Sequence, residues 1–227
     1  MRTIVLWDID NTLLYTGGAG SLGMARAFRD LYGVADAFRR VEFSGRTDTA
    51  IFRDAAREHG VAEADLDREL VRFCDAYIPH LASALGEVAG GGLMPGVREV
   101  LDALSRRDDL VQGLGTGNFR RGGELKLRHY DIDGYFPGTV GGFGEDDEAR
   151  DAVIRIGIER LGGGGEARTV IVGDTPHDVT AAKANGAYAL AVATGRNSAE
   201  ELRGCGADVA LDDLSDVERA IELILGD

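Results

Sequence analysis

Three short stretches carry side chains suited to chemistry on a phosphate. In "DIDNT", Asp8 to Thr12, two carboxylates stand two residues apart at the end of an apolar run. One can attack phosphorus while holding a divalent cation, and the other can protonate a leaving oxygen and later activate water. Asp-Asn-Thr is equally good turn chemistry. In "GLGTGN", Gly113 to Asn118, the Thr116 hydroxyl, the open backbone of Gly117 and the Asn118 amide offer a compact set of donors to phosphate oxygens, or simply a Gly-rich turn. In "IVGDTPHDV", Ile171 to Val179, Asp174 and Asp178 share one face if Thr175-Pro176 opens a helix. Carboxylate oxygens suit a hard cation such as Mg²⁺. The plainer alternative is a capped helix with Asp178 favoured by the dipole. His177 has no second histidine at metal spacing and reads as a turn or surface residue.

Lysine is informative by scarcity, because the chain has only Lys126 and Lys183. Lys126 follows the "GTGN" turn closely enough to reach over a site from the next helix. Lys183, in "AAKANGA", reads as a solvated position near a helix end.

These residues need a scaffold that gathers strand ends. Apolar runs of strand length begin at Thr3, Leu110, Thr169, Tyr188 and Ala207, and helical periodicity follows each. That is the rhythm of a doubly wound α/β fold, a parallel sheet with helices on both faces. Ligands in such sheets bind beyond the carboxyl ends of the strands, where all three stretches fall. The rhythm stops between about Ala19 and Leu93. There the sequence predicts no strand but three helices, roughly Ala19 to Leu31, Asp48 to His59 and Glu63 to Leu85. The expected organisation is a core of residues 1–14 and 94–227 with an inserted all-helical cap at 15–93. Gly162 to Gly165 reads as a flexible surface connection.

Composition narrows the function. The 227 residues carry a formal charge of −14 and no basic stripe, which argues against nucleic acid. Most of that charge falls outside Tyr15 to Leu93. A small phosphate would therefore need local cations, a metal and backbone N–H groups to hold it. No apolar run has the length of a membrane helix, and the N-terminus lacks a signal-peptide pattern, so no membrane partner is expected. Cys74 and Cys205 lie far apart and read as buried thiols in a reducing compartment, with the cytoplasm as the expected location.

Taken together, the three strand ends in this chain order resemble the haloacid dehalogenase superfamily of phosphotransferases. The likeness covers essentially the whole chain, including an inserted helical (C1-type) cap, and looks most like phosphoglycolate-phosphatase-type members. It implies that Asp8 is the nucleophile and Asp10 the general acid/base. It also implies Mg²⁺ on Asp8, the Asp10 backbone carbonyl and Asp174, with Asp178 as a ligand or close partner, and phosphate binding by Thr116, Gly117 and Asn118. The family further requires a cation beside the nucleophile. Many relatives take it from a Lys-Pro pair, but the stretch here is "EARDAV", so either Arg150 or Lys126 must serve, with Lys126 favoured as a point charge. In the cap, "FSGRTDTAIF" resembles a substrate loop, in which Arg46 could bind a carboxylate or second phosphate; alternatively Thr47 or Asp48 is an ordinary N-cap with Arg46 solvated.

The resulting expectation is an Mg²⁺-dependent phosphatase acting on a small phosphorylated metabolite, as a monomer or homodimer. Its nearest rival is a sugar phosphomutase on the same site. A non-catalytic nucleotide-binding module is suggested by Gly18-Ala-Gly20-Ser-Leu-Gly23, which fits G-x-G-x-x-G. That fingerprint belongs in the turn directly after a strand, and Gly18 is ten residues beyond Asp8. Gly17, Gly18 and Gly20 therefore read as a hinge into the cap.

Overall fold

The computed structural model describes residues 2–163 and 167–226. Its strands are β1 (Thr3–Trp7), β2 (Leu14–Tyr15), β3 (Gly92–Leu93), β4 (Leu110–Gly115), β5 (Gly141–Gly142), β6 (Arg168–Gly173), β7 (Tyr188–Val192) and β8 (Val209–Leu211). The helices are α1 (Ala19–Tyr32), α2 (Asp48–Glu58), α3 (Leu66–Glu87), α4 (Val97–Leu104), α5 (Arg120–His129), α6 (Arg150–Arg160), α7 (Pro176–Ala184), α8 (Ala199–Gly204) and α9 (Val217–Leu225).

Six strands form one parallel sheet in the order β5-β4-β1-β6-β7-β8. The strand following β1 in the sheet by sequence, β4, lies on one side of it and β6 on the other, so β1 marks the switch point where a crevice opens. Register then aligns the chemistry. Trp7 pairs with Leu114 on one side and Val172 on the other, so Asp8, Gly115 and Gly173 leave the sheet at one level.

Both faces of β1 are covered, as its unbroken apolar run requires. Val5 and Trp7 join a core with Val97, Leu101 and Ile224, while Ile4 and Leu6 pack with Ile154, Ile171 and Ala182. A separate aromatic core holds the inserted helices: Phe28, Phe52, Phe73 and Tyr77, closed by Phe119 from the turn before α5.

Several expectations need correction. Short strands occur where none was expected: β2 and β3 pair antiparallel, Leu14 with Leu93 and Tyr15 with Gly92, bringing the chain's exit and return side by side. Two-residue strands are too short to show periodicity. Gly17 and Gly18 do adopt positive φ, 65° and 91°, before α1. Gly20, however, lies inside α1 rather than in the hinge. Cys205 is exposed rather than buried and Cys74 is half-buried; both are free thiols. Glu63–Asp65 forms a 3₁₀ turn ahead of α3 rather than its first turn. Gly164 and Gly165 of the four-glycine stretch lie outside the described residues. No helix among those described is long and apolar enough to cross a membrane.

Candidate active site

The crevice at the carboxyl end of β1 continues into a cavity of about 370 Å³ between the sheet and the helical insert. From the core side it is lined by Asp8, Asp10, Gly117, Asn118, Lys126, Arg150 and Asp174. From the insert come Arg46, Asp48 and Tyr77, among others.

Asp8 and Asp10 both face this cavity while Ile9 between them is buried in the core, since residues two apart on extended chain share a side. One Asp8 oxygen, Oδ1, accepts from Arg150 Nη2 at 2.8 Å. Its other oxygen has no partner among the described residues. Burial pushes the Asp8 carboxyl up to about 6, against the pull of Arg150 and with the help of Asp178 and Asp10.

Arg150 and Lys126, posed by the sequence as alternatives, are both present and serve different aspartates. Arg150 begins α6 and is buried. Its Nη2 also donates to Asp178 Oδ1 at 2.6 Å and to the Gly115 carbonyl at 2.9 Å, and its Nε donates to Asp178 Oδ1 at 3.0 Å. Burial works against the guanidinium charge, but Asp178 and Asp8 hold its pKa above the usual arginine value. Lys126, only 3% exposed, comes from the last turn of α5 and donates to Asp10 Oδ2 and to Asn118 Oδ1, each at 2.5 Å. Asn118 Nδ2 in turn donates to Asp10 Oδ2 and to Thr116 Oγ1, both at 2.8 Å. Thr116, Asn118 and Lys126 thus stand with Asp10 in one network of hydrogen bonds.

Asp174 and Asp178 follow from a local rule. Thr175 caps α7 in a capping box, with Pro176 at the first helical position. That box occupies Asp178 Oδ2, which accepts from Thr175 N at 3.1 Å and Thr175 Oγ1 at 2.7 Å. With Oδ1 on Arg150, both Asp178 oxygens are engaged. Asp174 differs. Its Oδ2 is buried without a hydrogen-bond partner, and its Oδ1 is only 3.5 Å from Thr12 Oγ1. Burial, reinforced by Asp178, Asp8 and Asp10, pushes its carboxyl up to about 9.

Oxygens of Asp8, Asp174 and Asp178 lie within 4.8 Å of one another. Three hard donors and an orphaned buried carboxylate oxygen fit a divalent cation. Gly195 leaves room against that oxygen, because a Cβ there would stand 1.9 Å from Asp174 Oδ2.

In the insert, Thr47 rather than Asp48 is the N-cap of α2, accepting from Ala50 N at 3.1 Å. Arg46 lines the cavity with its guanidinium paired to Asp54 at 2.7 Å. His177 is exposed, and Lys183 is exposed in an ion pair with Asp208.

Sequence reasoning missed two cavity residues. Asp48 is buried and ties the insert to the core: its N–H donates to the Gly117 carbonyl at 2.7 Å, and its Oδ2 accepts from Phe119 N at 2.8 Å. Burial raises its carboxyl to about 7, although Lys126 and the Phe119 N–H oppose the shift. Tyr77 reads in sequence as part of an apolar stripe with Phe73 and Leu81. Nothing in that pattern tells where its hydroxyl emerges.

Comparison with known proteins agrees with this layout. Phosphoglycolate phosphatase 1 of Pseudomonas aeruginosa is 25% identical over 234 residues, covering 99% of this chain and 83% of that protein. The fold matches that of CbbY from Rhodobacter sphaeroides in complex with phosphate, with a TM-score of 0.71, 18% identity and 96% of each chain covered. It also matches a predicted phosphatase from Clostridium acetobutylicum, with a TM-score of 0.71, 17% identity, and 97% of this chain and 98% of that one covered. Residues 3–186, which hold the ends of β1, β4 and β6, match the haloacid dehalogenase-like hydrolase family. This chain is a member of that family.

Proposed function

We propose that the chain is a phosphatase that hydrolyses a small phosphorylated metabolite through a phosphoryl group carried on Asp8. The observation that carries this reading is the asymmetry of Asp8, which lines the cavity: one oxygen is clamped by Arg150 and the other has no partner among the described residues. A carboxylate fixed in this way is oriented for attack at little entropic cost.

Asp8 attacks phosphorus in line with the ester oxygen. Asp10, held by Lys126 and Asn118, gives its proton to that oxygen as the P–O bond breaks. After the leaving group departs, Asp10 takes a proton from water, which attacks phosphorus and restores the Asp8 carboxylate. Thr116 Oγ1 and the backbone of Gly117 and Asn118 bind phosphoryl oxygens, and Lys126 and Arg150 offset their charge. Asp8, the Asp10 carbonyl and Asp174 would hold Mg²⁺, with Asp178 beside them keeping Arg150 in place. The cation supplies charge neutralisation at the transferred phosphoryl group. Residues 15–93 act as a cap that excludes water, joined to the core through β2 and β3.

The relative named phosphoglycolate phosphatase supports the phosphomonoester class. The test is release of inorganic phosphate from p-nitrophenyl phosphate with Mg²⁺, and its loss with EDTA and in Asp8→Asn. Turnover that survives Asp8→Asn would overturn the assignment of the nucleophile. A phosphomutase would return an isomerised sugar phosphate in place of free phosphate.

A further inference from the structure

Two polar groups in the cavity have no role in the chemistry above, and each has a side-chain oxygen without a hydrogen-bond partner among the described residues. The Tyr77 ring, 1% exposed, is stacked on Phe73 at 6.2 Å between centroids and meets Phe119 edge-on at 6.1 Å. Its hydroxyl lines the cavity and has no hydrogen-bond partner among the described residues. A hydroxyl that reaches a cavity without a protein partner is met there by water or ligand. Asp48 likewise has one oxygen committed to Phe119 N, while its other oxygen, in the same cavity, has no partner among the described residues.

Tyr77 stands beside Lys126, and Asp48 lines the same cavity. A Cβ built on Gly20 would lie 3.5 Å from Lys126 Nζ and 3.8 Å from the Tyr77 hydroxyl, so Tyr77 and Lys126 flank the same open spot. Lys126 is bonded to Asp10, the group that meets the leaving oxygen. The absence of a side chain at Gly20 keeps this space clear.

We propose that Tyr77 and Asp48 form a hydroxyl-reading subsite, so that the leaving group of the preferred substrate is a polyol or sugar rather than a carboxylate. The inference rests on the phosphatase reading and extends it to substrate class. A phenol can donate to or accept from an alcohol, and a carboxylate oxygen accepts from one. A carboxylate in the same place meets Asp10 and Asp48, while Lys126 is already bonded to Asp10 and Asn118 and the cap residue Arg46 is paired with Asp54. Repulsion of this kind discriminates as effectively as attraction. Arg196, exposed at the rim on the loop after β7, is the cation a carboxylated substrate would have to use instead.

The experiment compares kcat/KM, with Mg²⁺, for glycerol phosphate, propyl phosphate and phosphoglycolate in the native protein, Tyr77→Phe, Asp48→Asn and Arg196→Ala. Phenylalanine keeps the ring packing, and asparagine keeps an acceptor for Phe119 N, with thermal melting checking the fold of each. The native protein should prefer glycerol phosphate over both others by on the order of tenfold or more, since a site built to pair a hydroxyl rejects analogues that lack it. Tyr77→Phe and Asp48→Asn should each cut the glycerol-to-propyl ratio by about a factor of ten. A native ratio near one, a ratio unmoved in both variants, or preference for phosphoglycolate that Arg196→Ala abolishes would overturn the inference. Hydrolysis of p-nitrophenyl phosphate without discrimination among the three esters overturns this inference alone. Failure to hydrolyse any ester overturns the phosphatase reading and this with it.

Discussion

Replacing Arg150 by methionine tests the electrostatics of the site most directly. Its guanidinium is the cation in hydrogen-bond contact with Asp8 and Asp178, with Asp174 alongside them. Removing it leaves three carboxylates together in a buried site. Breaking a buried pair in this way costs about 3–5 kcal/mol, because the surviving charges are stranded. The protonation of Asp8 gives the same scale. Its carboxyl stands at about 6 with Arg150 present, against an ordinary value of 3.8. If loss of Arg150 raises it by roughly two further units, the added cost at high pH is about 3 kcal/mol. The sign follows from the direction of the shift. A raised carboxyl contributes stability that is complete below 3.8 and is lost as pH rises through the folded value. The variant's deficit should therefore be small near about pH 5, where only hydrogen bonds are missing, roughly 1–2 kcal/mol, and near its full size at about pH 8. Urea unfolding in EDTA at the two pH values measures it, against a total stability on the order of 5–15 kcal/mol. Arg150→Lys should recover about half, since one ammonium cannot span Asp8, Asp178 and the Gly115 carbonyl together. A deficit under about 1 kcal/mol at the higher pH, or one that is the same at both, would refute the reasoning.

Three further outcomes follow from the geometry. Gly117→Ala places a Cβ 2.2 Å from the Arg46 carbonyl oxygen. It should push the cap loop away from the core and lower kcat/KM at least about tenfold, and an alanine variant with native kinetics would show that this contact is dispensable. Asp48→Asn removes a carboxyl whose burial raises it from 3.8 to about 7. That carboxylate costs at most about 4 kcal/mol above its folded value and nothing below 3.8, so the gain in stability of metal-free Asp48→Asn over the native protein should build up between 3.8 and about 7 and be complete above that. Titration calorimetry at both ends of that range decides nothing that urea unfolding does not, so the latter is the measurement, and a pH-independent difference counts against it. Inorganic phosphate should bind the native protein with Mg²⁺ and lose at least about tenfold in affinity without it; equal affinities would mean that Lys126, Arg150 and the backbone donors suffice.

Much of this architecture is legible in the sequence because apolar runs and turn residues act locally. Thr3–Trp7, Leu110–Gly115 and Arg168–Gly173 announce themselves as buried strands, and their shared level follows once they are neighbours in one parallel sheet. Thr175-Pro176 likewise fixes the start of α7 by capping chemistry. What stays hidden is set through space. The two glycines of β5 carry no pattern, yet a Cβ on Gly141 would collide with the Leu114 carbonyl of the neighbouring strand and one on Gly142 with the Val153 carbonyl of α6, so their identity is dictated through space. The choice between Lys126 and Arg150 could not be made from spacing because it was never a choice: each helix delivers its cation to a different aspartate. Asp48 looks like a helix cap because it begins α2, and only the proximity of Gly117 and Phe119 reveals it as the tie between insert and core.

The separation of the two cations has a consequence for how the site is charged. Asp8, Asp10, Asp48, Asp174 and Asp178 bring five carboxylates to the region, and among the described residues Lys126 and Arg150 are the cations bonded to them. Both guanidinium and ammonium are already spent on aspartates, so neither can meet an incoming phosphate without sharing. Burial answers part of the excess by raising Asp8, Asp48 and Asp174, which favours their neutral forms. Of these three Asp174 is raised furthest, and its unpaired oxygen is the one buried away from solvent. A carboxyl in that condition is held neither by a protein donor nor by water-like solvation, and a divalent cation answers both deficits at once. Arg150 sits at the N-terminus of α6, where the helix dipole disfavours a cation. Its position makes sense only through Asp8 and Asp178, which is why the fold keeps Asp178 fully occupied by Thr175 and Arg150 while Asp174 is left open.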